Sequence, residues 1–340
     1  MQRAPRRIAV MGSGSWGTTF AKVLADADAQ VQVTLWARRP AVAQEIAERH
    51  TNSAYLGELA LPANIAATAD PAVALTGADL VVLAVPAQSL REQLTSWGPY
   101  VPEDAVLVSL MKGLERGTDL RMTEVVAQVL GTPQERLAVV SGPNLAKEIA
   151  RQEPTASVVA CSDEGTAEWI ARAATPGYFR PYTNTDLVGV EIGGIVKNVI
   201  ALAVGICDGM GMGDNTKATI ITRGLAETTR LALAIGGNAD TMAGLAGLGD
   251  LVATCSSPLS RNRTAGRLIG EGLSLDEVAA KMNQVAEGIK SASAVLDLAH
   301  HHGVDMPITQ AVVAVIDGRV SVKDMARLLL ERELKSEEIK

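Results

Sequence analysis

The stretch Val10–Gly17, "VMGSGSWG", decides the fold class of this sequence. It holds a G-x-G-x-x-G pattern that ends the strand-like run "RIAVMG" and opens the helical run "WGTTFAKVLADAD". This context is typical of a βαβ unit that binds a dinucleotide. Gly12 would permit the tight turn, Gly14 the approach of a pyrophosphate to the backbone, and Gly17 the close packing of helix and strand. A glycine-rich turn without a ligand is the alternative.

Further apolar runs follow in the first half of the chain. "VQVTLWA", "DLVVLAVP", "AVLVSLMKG" and "LAVVSGP" are continuous and lead into turns and helices, as parallel strands covered on both faces do. "TASVVACS" adds a strand, and "GYFRPYTNTD" adds a short one at the sheet edge. After Asp186 only helical stretches follow, namely Leu187–Cys207, Asn215–Ile235, Asn262–Glu271, Leu275–Lys281, Ser291–His301 and a tail from Ile308. The sequence predicts an α/β Rossmann-type dinucleotide-binding domain in residues 1–186 and an all-α substrate domain in 187–340.

Composition and charge argue against several classes of protein. The 340 residues carry a net charge of −7 and no long basic block, so we expect no nucleic-acid partner. The longest apolar stretch, Glu191–Gly209, contains Gly193-Gly194 and Lys197, which argues against a membrane span. The three cysteines lie far apart and indicate reduced packing residues of a cytoplasmic protein. The apolar run after the basic start is too short for a signal peptide. His300-His301-His302 ends a helix and indicates a solvated turn rather than a metal site.

The end of the second strand bears on the choice of dinucleotide. A site selective for NAD usually has an acid there for the ribose hydroxyls, but this chain has Arg38 and Arg39 and no acid until Glu45. Arginine pairs well with a 2′-phosphate, which favours NADP, although a solvated loop with two arginines would look the same.

Two lysines and a polar turn stand where a ligand could bind. Lys197 lies within an apolar helix and must either extend to water or serve a polar partner, because an unpaired ammonium is costly to bury. Lys112 follows a predicted parallel strand, at the edge of the sheet where ligands bind, although a solvated loop lysine is the alternative. Gly142-Pro143-Asn144 follows the next strand and opens a helix.

A second polar constellation lies in "LAGLGDLVATCSSPLSRNRTAG". Asp250 stands between apolar residues after a glycine-rich turn, and Ser260-Arg261-Asn262 opens a helix. Donors at a helix N-terminus form a cradle for a phosphate or carboxylate. A capped surface helix is the alternative, although arginine at a helix start opposes the helix dipole.

From residue 7 to about 325 the chain resembles the bacterial NAD(P)-dependent glycerol-3-phosphate dehydrogenases. The resemblance is carried by "GSGSWGT", "MKGLE", "SGPNLAKE", "GGIVKNVIAL", "NTKATIITRGLAE", "GLAGLGDLVATC", "SRNRTAG" and "QVAEG". It implies a Rossmann-type domain followed by a helical substrate domain, and a reaction between NADPH or NADH and dihydroxyacetone phosphate. Reversible hydride transfer would give sn-glycerol 3-phosphate for phospholipid synthesis, and the family suggests a homodimer.

The resemblance also implies roles for single residues. Lys197 would be the proton donor and acceptor, with Asp250 orienting it and Lys112 as a second positive group. Cofactor contacts would come from the glycine turn and from Ser15, Trp16, Arg38, Lys112, Ala146, Arg261, Val285 and Glu287. Substrate contacts would come from Lys112, Gly142, Asn144, Lys197, Asp250, Ser260, Arg261 and Asn262. Many relatives carry Ser or Thr where this chain has Asn144.

Two other readings of the sequence remain open. A Rossmann dehydrogenase acting on a 3-hydroxy acid, ketopantoate or a sugar acid would share the architecture but lack the "GLGDL…SRNR" pair. A catalytically silent NADP-sensing protein would keep the glycine turn without needing Lys197, Asp250 and Arg261 together.

Overall fold

The computed structural model describes residues 4–282 and 286–325, which form two compact units. The first contains the residues up to Met111 together with Leu120–Leu187. The second contains Lys112–Asp119 and the described residues from Val188 onward. The loss of strand signal after Asp186 places residues 112–119 in the first domain. They group with the second unit because Leu114 is fully buried in its apolar cluster.

A sheet of eight strands forms the centre of the first unit. Its strands lie in the order β3-β2-β1-β4-β5-β6-β7-β8, and all neighbours are parallel except β6 and β7. The order from β3 to β6 is that of a dinucleotide-binding sheet. The strands are β1 (Arg7–Met11), β2 (Gln32–Trp36), β3 (Ile65–Thr68), β4 (Leu80–Leu83), β5 (Val106–Ser109), β6 (Leu137–Ser141), β7 (Thr155–Cys161) and β8 (Phe179–Asn184).

The predicted α/β class is confirmed, and the sequence missed two features of the sheet. Strand β3 escaped detection because it has four residues and only Ile65 among them is buried. The antiparallel direction of β7 is set by its pairing with β6, which the apolar pattern of one strand does not encode. Strand β8 lies at the sheet edge, as predicted.

Helices cover the sheet of the first unit. They are α1 (Ser15–Ala27), α2 (Pro40–Arg49), α3 (Ser53–Leu56), α4 (Pro71–Leu75), α5 (Leu90–Trp97), α6 (Met122–Leu130), α7 (Ala146–Ala150) and α8 (Glu164–Ala173). Short 3₁₀ turns occur at Ala87–Ser89, Gly98–Tyr100 and Gln134–Arg136. Strands such as β4 and β5 are buried throughout because helices pack on both faces, which is why they read as continuous apolar runs.

The glycine turn joins β1 to α1 where the strand order reverses. Gly12 has φ +134°, a backbone conformation that side chains disfavour, and a Cβ there would overlap the carbonyl of Ala84, just after β4. A Cβ on Gly17 would overlap the Gly12 carbonyl, so glycine is needed for α1 to approach the strand. Helix α1 begins at Ser15 with Gly14 as its N-cap.

The second unit is helical over its described residues. Its helices are α9 (Leu187–Gly209), α10 (Asp214–Ala234), α11 (Ala239–Ala243), α12 (Asp250–Ser256), α13 (Arg261–Gly270), α14 (Leu275–Lys281), α15 (Glu287–His301) and α16 (Pro307–Ile316), with a π-helical turn at Leu245–Gly249. The ends of the predicted helices agree with the structure within two residues, except that α15 begins at Glu287, four residues before the predicted start at Ser291. Gly288 weakened the helical pattern there, and its Cβ would overlap the carbonyl of Asn198.

Helix α9 is the core helix of the second unit. By length and composition it is the one described helix that could cross a membrane, but 89% of its most apolar window is buried inside the protein. It packs backbone to backbone on α13, where Cβ atoms on Gly205, Gly209, Gly266 and Gly270 would overlap carbonyls of the facing helix. Contacts of Leu202 with Gly266 and of Ile206 with Gly270 show that the two helices run in the same direction.

Candidate active site

The ammonium of Lys197 lies inside the second unit rather than in solvent. Only 8% of Lys197 is exposed, and its Nζ bonds to Asp250 Oδ1 and, at 2.7 Å, to Thr254 Oγ1. An Nζ carries three hydrogens, so one remains without an acceptor among the described residues. The structure therefore answers the question that the sequence raised: Lys197 serves buried partners and does not extend to water.

Asp250 stands between two lysines. Its Oδ2 accepts from Lys112 Nζ at 2.5 Å while its Oδ1 accepts from Lys197, and its side chain is 1% exposed. The segment 112–119 brings Lys112 to this point, and α12 begins at Asp250 itself. One carboxylate is thus shared between the buried ammonium of Lys197 and the partly buried ammonium of Lys112.

Burial makes Lys197 a better acid than an ordinary lysine. Desolvation lowers its pKa from 10.5 to about 8, and the nearby positive charge of Lys112 acts in the same direction. The negative charge of Asp250 opposes this shift but does not cancel it. A group with such a pKa can hold a proton near neutral pH and release it at low cost.

Thr254 also belongs to this cluster, although the sequence patterns did not predict it. It lies one helical turn after Asp250 in α12, so both side chains are on the same face. Its hydroxyl accepts from Lys197 and lies 3.4 Å from Asp250 Oδ1. The spacing of four residues from a buried aspartate was the signal that could have identified it.

The first turn of α13 reaches the residue next to Lys197. Asn262 Nδ2 donates to Asn198 Oδ1 at 2.8 Å, and Asn262 Oδ1 accepts from the Gly288 N–H at 2.9 Å. Both the nitrogen and the oxygen of the Asn262 amide are therefore hydrogen-bonded within the protein. Asn262 ties α9, α13 and the start of α15 together at the level of the buried lysine, because the glycine contacts let the helices approach.

The other predicted residues of this helix start differ in their surroundings. Ser260 is the N-cap of α13, and its Oγ accepts from the Arg263 N–H at 3.2 Å. Arg263 pairs with Asp208 at 2.8 Å. Arg261 is an exposed residue at the first position of the helix. Glu287 is the first residue of α15, and Val285 lies outside the described residues.

The glycine turn of the first unit fits a dinucleotide. The Gly14 N–H makes no hydrogen bond to the described residues, and a Cβ on Gly14 would meet none of them within 4 Å. No acidic residue occupies the first turn of α1, so its N–H groups and dipole favour an anion. Ser15 and Trp16 open the helix, and the ring of Trp16 packs against Phe20 with centroids 5.5 Å apart.

The remaining predicted residues of the first unit follow strands of the sheet. Arg38 is exposed just after β2 and pairs with none of the described residues. Gly142 and Asn144 follow β6, and both side-chain polar atoms of Asn144 are buried without a partner among the described residues. Ala146 begins α7, and its carbonyl accepts from Thr19 Oγ1 of α1 at 3.2 Å.

Comparison with known protein families identifies both parts of the chain. Residues 7–167 match the family model described as NAD-dependent glycerol-3-phosphate dehydrogenase N-terminus. Residues 186–327 match the model described as NAD-dependent glycerol-3-phosphate dehydrogenase C-terminus. The resemblance stated from the sequence is thereby confirmed.

Individual relatives agree with the family models. The chain is 58% identical to a glycerol-3-phosphate dehydrogenase [NAD(P)+] of Streptomyces griseus subsp. griseus over 333 residues, 98% of each chain. It is also 58% identical over 310 residues to the enzyme of that name from Thermobifida fusca, which covers 91% of this chain and 92% of the relative. A crystal structure of glycerol-3-phosphate dehydrogenase from Coxiella burnetii has a TM-score of 0.91 at 36% identity, covering 96% of this chain and 99% of that one.

The pairing of Asp250 with two lysines leads to a prediction about stability. We expect Asp250→Asn to lower the free energy of unfolding by about 3–5 kcal/mol, because it leaves the buried ammonium of Lys197 without the counter-charge of Asp250. Adding Lys197→Met should restore part of the loss. Urea unfolding followed by circular dichroism measures both effects.

The matched control is Asp214→Asn, which removes the exposed partner of Lys217 and should leave the urea midpoint unchanged. If Asp250→Asn is as harmless as this control, then Asp250 does not neutralise the two lysines.

Proposed function

This chain belongs to the NAD-dependent glycerol-3-phosphate dehydrogenase family, and on that premise we propose how its residues carry out the family's reaction. The enzyme is an NAD(P)-dependent oxidoreductase. It transfers hydride reversibly between NAD(P)H and dihydroxyacetone phosphate, giving sn-glycerol 3-phosphate. The single observation that supports this assignment of residues is the buried ammonium of Lys197, held by Asp250 and Thr254.

Lys197 acts as the general acid in the reduction. When it is bound, the nicotinamide supplies the hydride for the carbonyl carbon, and negative charge then develops on the carbonyl oxygen. The third hydrogen of Lys197 Nζ can bond that oxygen and pass to it as the alcohol forms. In the reverse direction the neutral amine accepts the proton from the alcohol. Solvent restores the starting protonation state after either direction.

Asp250 and Lys112 prepare the charge environment for this step. Asp250 and Thr254 each take one hydrogen of Lys197 Nζ, which aims the remaining hydrogen in one direction. Lys112 adds a second positive charge on the other oxygen of Asp250. The positive charge of the Lys197 ammonium stabilises the oxyanion-like transition state more than the neutral ketone, as electrostatic catalysis requires.

The start of α13 is proposed to hold the substrate phosphate. Ser260 Oγ accepts from the helix N–H of Arg263, so its own hydrogen remains able to donate to an anion. Arg261, which the family resemblance assigns to the substrate and the cofactor, provides a guanidinium at the same helix start. Asn262 would contribute mainly by fixing α13 beside Lys197, since its amide bonds Asn198 and Gly288. In the first unit, Gly142 and Asn144 are further candidates for substrate contacts.

The first unit is proposed to hold the cofactor. The glycine turn with Ser15 and Trp16 would receive the pyrophosphate at the start of α1, and Arg38 would receive the 2′-phosphate of NADP(H). The family resemblance adds Lys112, Ala146, Arg261, Val285 and Glu287 to the proposed cofactor contacts. We propose further that the enzyme acts in the cytoplasm as a homodimer and supplies sn-glycerol 3-phosphate for glycerophospholipid synthesis, as is suggested by its family.

The phosphate assignment can be tested with two substrates. We expect the purified enzyme to oxidise NADPH with dihydroxyacetone phosphate and to be nearly inert with unphosphorylated dihydroxyacetone, because the phosphate contacts position the ketone. Arg261→Ala should lower kcat/KM for the phosphorylated substrate by roughly 30-fold or more. Arg267→Ala, on the same helix but paired with Glu271, is the control and should change little. Equal rates with the two ketones would show that the start of α13 does not bind a substrate phosphate.

The role of Lys197 predicts a pH profile. Reduction requires the protonated ammonium, so kcat/KM for reduction should be level below its pKa of about 8 and fall above it. Oxidation of glycerol 3-phosphate requires the neutral amine and should rise through the same pH range. Lys197→Met should still fold and bind NADPH, but the rate of reduction should drop by about 10²-fold or more and lose this pH dependence.

Lys22→Met is the matched control for that experiment. Lys22 is also a buried lysine paired with an aspartate, Asp26, but it lies in α1 of the first unit. We expect the control to retain its turnover and pH profile. Near-normal turnover of Lys197→Met would exclude that lysine as the acid.

Arg38 predicts the response to the two cofactors. We expect NADPH to be used at least as well as NADH, and Arg38→Ala to raise the KM for NADPH more than that for NADH. The reason is that the 2′-phosphate is the only difference between the two compounds. Arg180→Ala changes an exposed arginine on β8, at the opposite end of the sheet, and serves as the control. Equal changes in both KM values would show that Arg38 does not contact the 2′-phosphate.

A further inference from the structure

Asn52 contacts the glycine turn from a part of the chain to which the reaction assigns no role. It lies just before α3 and is completely buried. Its Nδ2 donates to the carbonyl oxygen of Ser13 at 3.0 Å and to Thr18 Oγ1 at 2.8 Å. One side-chain amide therefore joins the middle of the glycine turn to the first turn of α1.

The orientation of this amide follows from its partners. A carbonyl oxygen can only accept, so the atom that faces Ser13 must be the nitrogen of Asn52 and not its oxygen. The oxygen, Oδ1, is buried and has no donor among the described residues. An unsatisfied buried acceptor lowers stability, and an apolar side chain would avoid that cost. The asparagine is thus better explained by the two bonds it donates than by packing.

Those bonds also set the direction of the next N–H group. The C=O bond of Ser13 and the N–H bond of Gly14 lie in one trans peptide plane and point in opposite directions within it. Because Asn52 holds the Ser13 carbonyl inward, the Gly14 N–H must point away from Asn52. That N–H has no acceptor among the described residues, and Gly14 lies where a pyrophosphate would approach.

A neighbouring carboxylate fixes the segment that carries Asn52. Glu45 Oε1, in α2, accepts from the Ser53 N–H at 2.7 Å and from Thr51 Oγ1 at 3.0 Å. The bond from the Ser53 N–H is the largest reason why the pKa of Glu45 lies below its ordinary value. Glu45 is the first acid after Arg38-Arg39, and the structure uses it to hold this turn.

We propose that Asn52 is a positioning residue for dinucleotide binding, which holds the Ser13–Gly14 peptide so that the Gly14 N–H faces the cofactor pyrophosphate. The proposal rests on the proposed function, since it assumes that the glycine turn binds NAD(P)H. It predicts that a change at residue 52 weakens cofactor affinity, while the chemical step at saturating cofactor and the KM for dihydroxyacetone phosphate stay nearly unchanged.

The test replaces the donor with an acceptor of the same shape. Asn52→Asp would place a carboxylate oxygen against the Ser13 carbonyl and so favour rotation of the peptide. A carboxylate forms a strong charge-assisted bond to a backbone N–H, so in the rotated peptide the Gly14 N–H would point to the new carboxylate and no longer to the cofactor. We therefore expect the Kd for NADPH, measured by fluorescence titration, to rise about tenfold or more. At saturating NADPH we expect kcat to remain within about threefold of the unmodified enzyme, since the acid Lys197 is unaffected.

Asn64→Asp is the matched control. Asn64 Nδ2 likewise donates to backbone carbonyls, of Ala25 at 3.1 Å and Val31 at 2.9 Å, but at the other end of α1. The same chemical change there should lower the melting temperature without changing the Kd for NADPH. If Asn64→Asp raises the Kd as much as Asn52→Asp does, the effect is a general loss of structure and the proposal is wrong.

Two further variants keep the proposal testable if Asn52→Asp does not fold. Asn52→Ala removes both bonds without adding charge and should also raise the Kd. Thr18→Val removes only the second acceptor and should leave the Kd near that of the unmodified enzyme, because the bond to Ser13 remains. An unchanged Kd in a folded Asn52 variant overturns the proposal, whereas failure of the unmodified enzyme to bind NADPH overturns the proposed function instead.

Discussion

The contacts around Lys197 in the second unit depend on one constraint, the cost of burying its ammonium. A lone buried ammonium is too costly to keep, and a fully neutralised one would hold its proton too firmly to act as an acid. The cluster meets both conditions because Asp250 is shared between Lys197 and Lys112, so that neither lysine has the whole counter-charge. Desolvation then outweighs attraction and lowers the pKa of Lys197. The same contacts therefore make burial of the ammonium tolerable and leave its pKa below that of an ordinary lysine.

Two groups of glycines position the candidate site residues, and each depends on a different property of glycine. In the turn before α1, Gly12 adopts a positive φ that other residues disfavour. In α9 and α13, glycines such as Gly205 and Gly266 have no special backbone angle, and they matter because the facing backbone leaves no room for a Cβ. The second pattern brings the start of α13, with Asn262, beside Asn198. One pattern shapes the turn before α1, and the other sets the distance between two helices.

The sequence predicted what local patterns encode and missed what depends on distant partners. Continuous apolar runs predicted the buried strands, and loss of that signal after Asp186 predicted a helical second half. Lys197 and Asp250 were noticed because each is a charge among apolar residues, although 53 positions separate them. Asn52 carried no such signal, since its partner Ser13 is 39 positions away and an asparagine in a polar turn is unremarkable. Thr254 was missed because its meaning depends on the face of α12 that it shares with Asp250.

The eight residues Lys112–Asp119 have a consequence for how this protein can be divided. They lie between two parts of the first unit in the chain, yet they group with the second, and Leu114 is part of its apolar core. The polypeptide therefore passes from one unit to the other three times. If the gene were cut at residue 187, the first fragment would keep Leu114 without the apolar residues that it packs against. The second fragment would lack Lys112, the second lysine that contacts Asp250. A chimaera that exchanges a whole unit between relatives therefore needs three crossover points in the sequence instead of one.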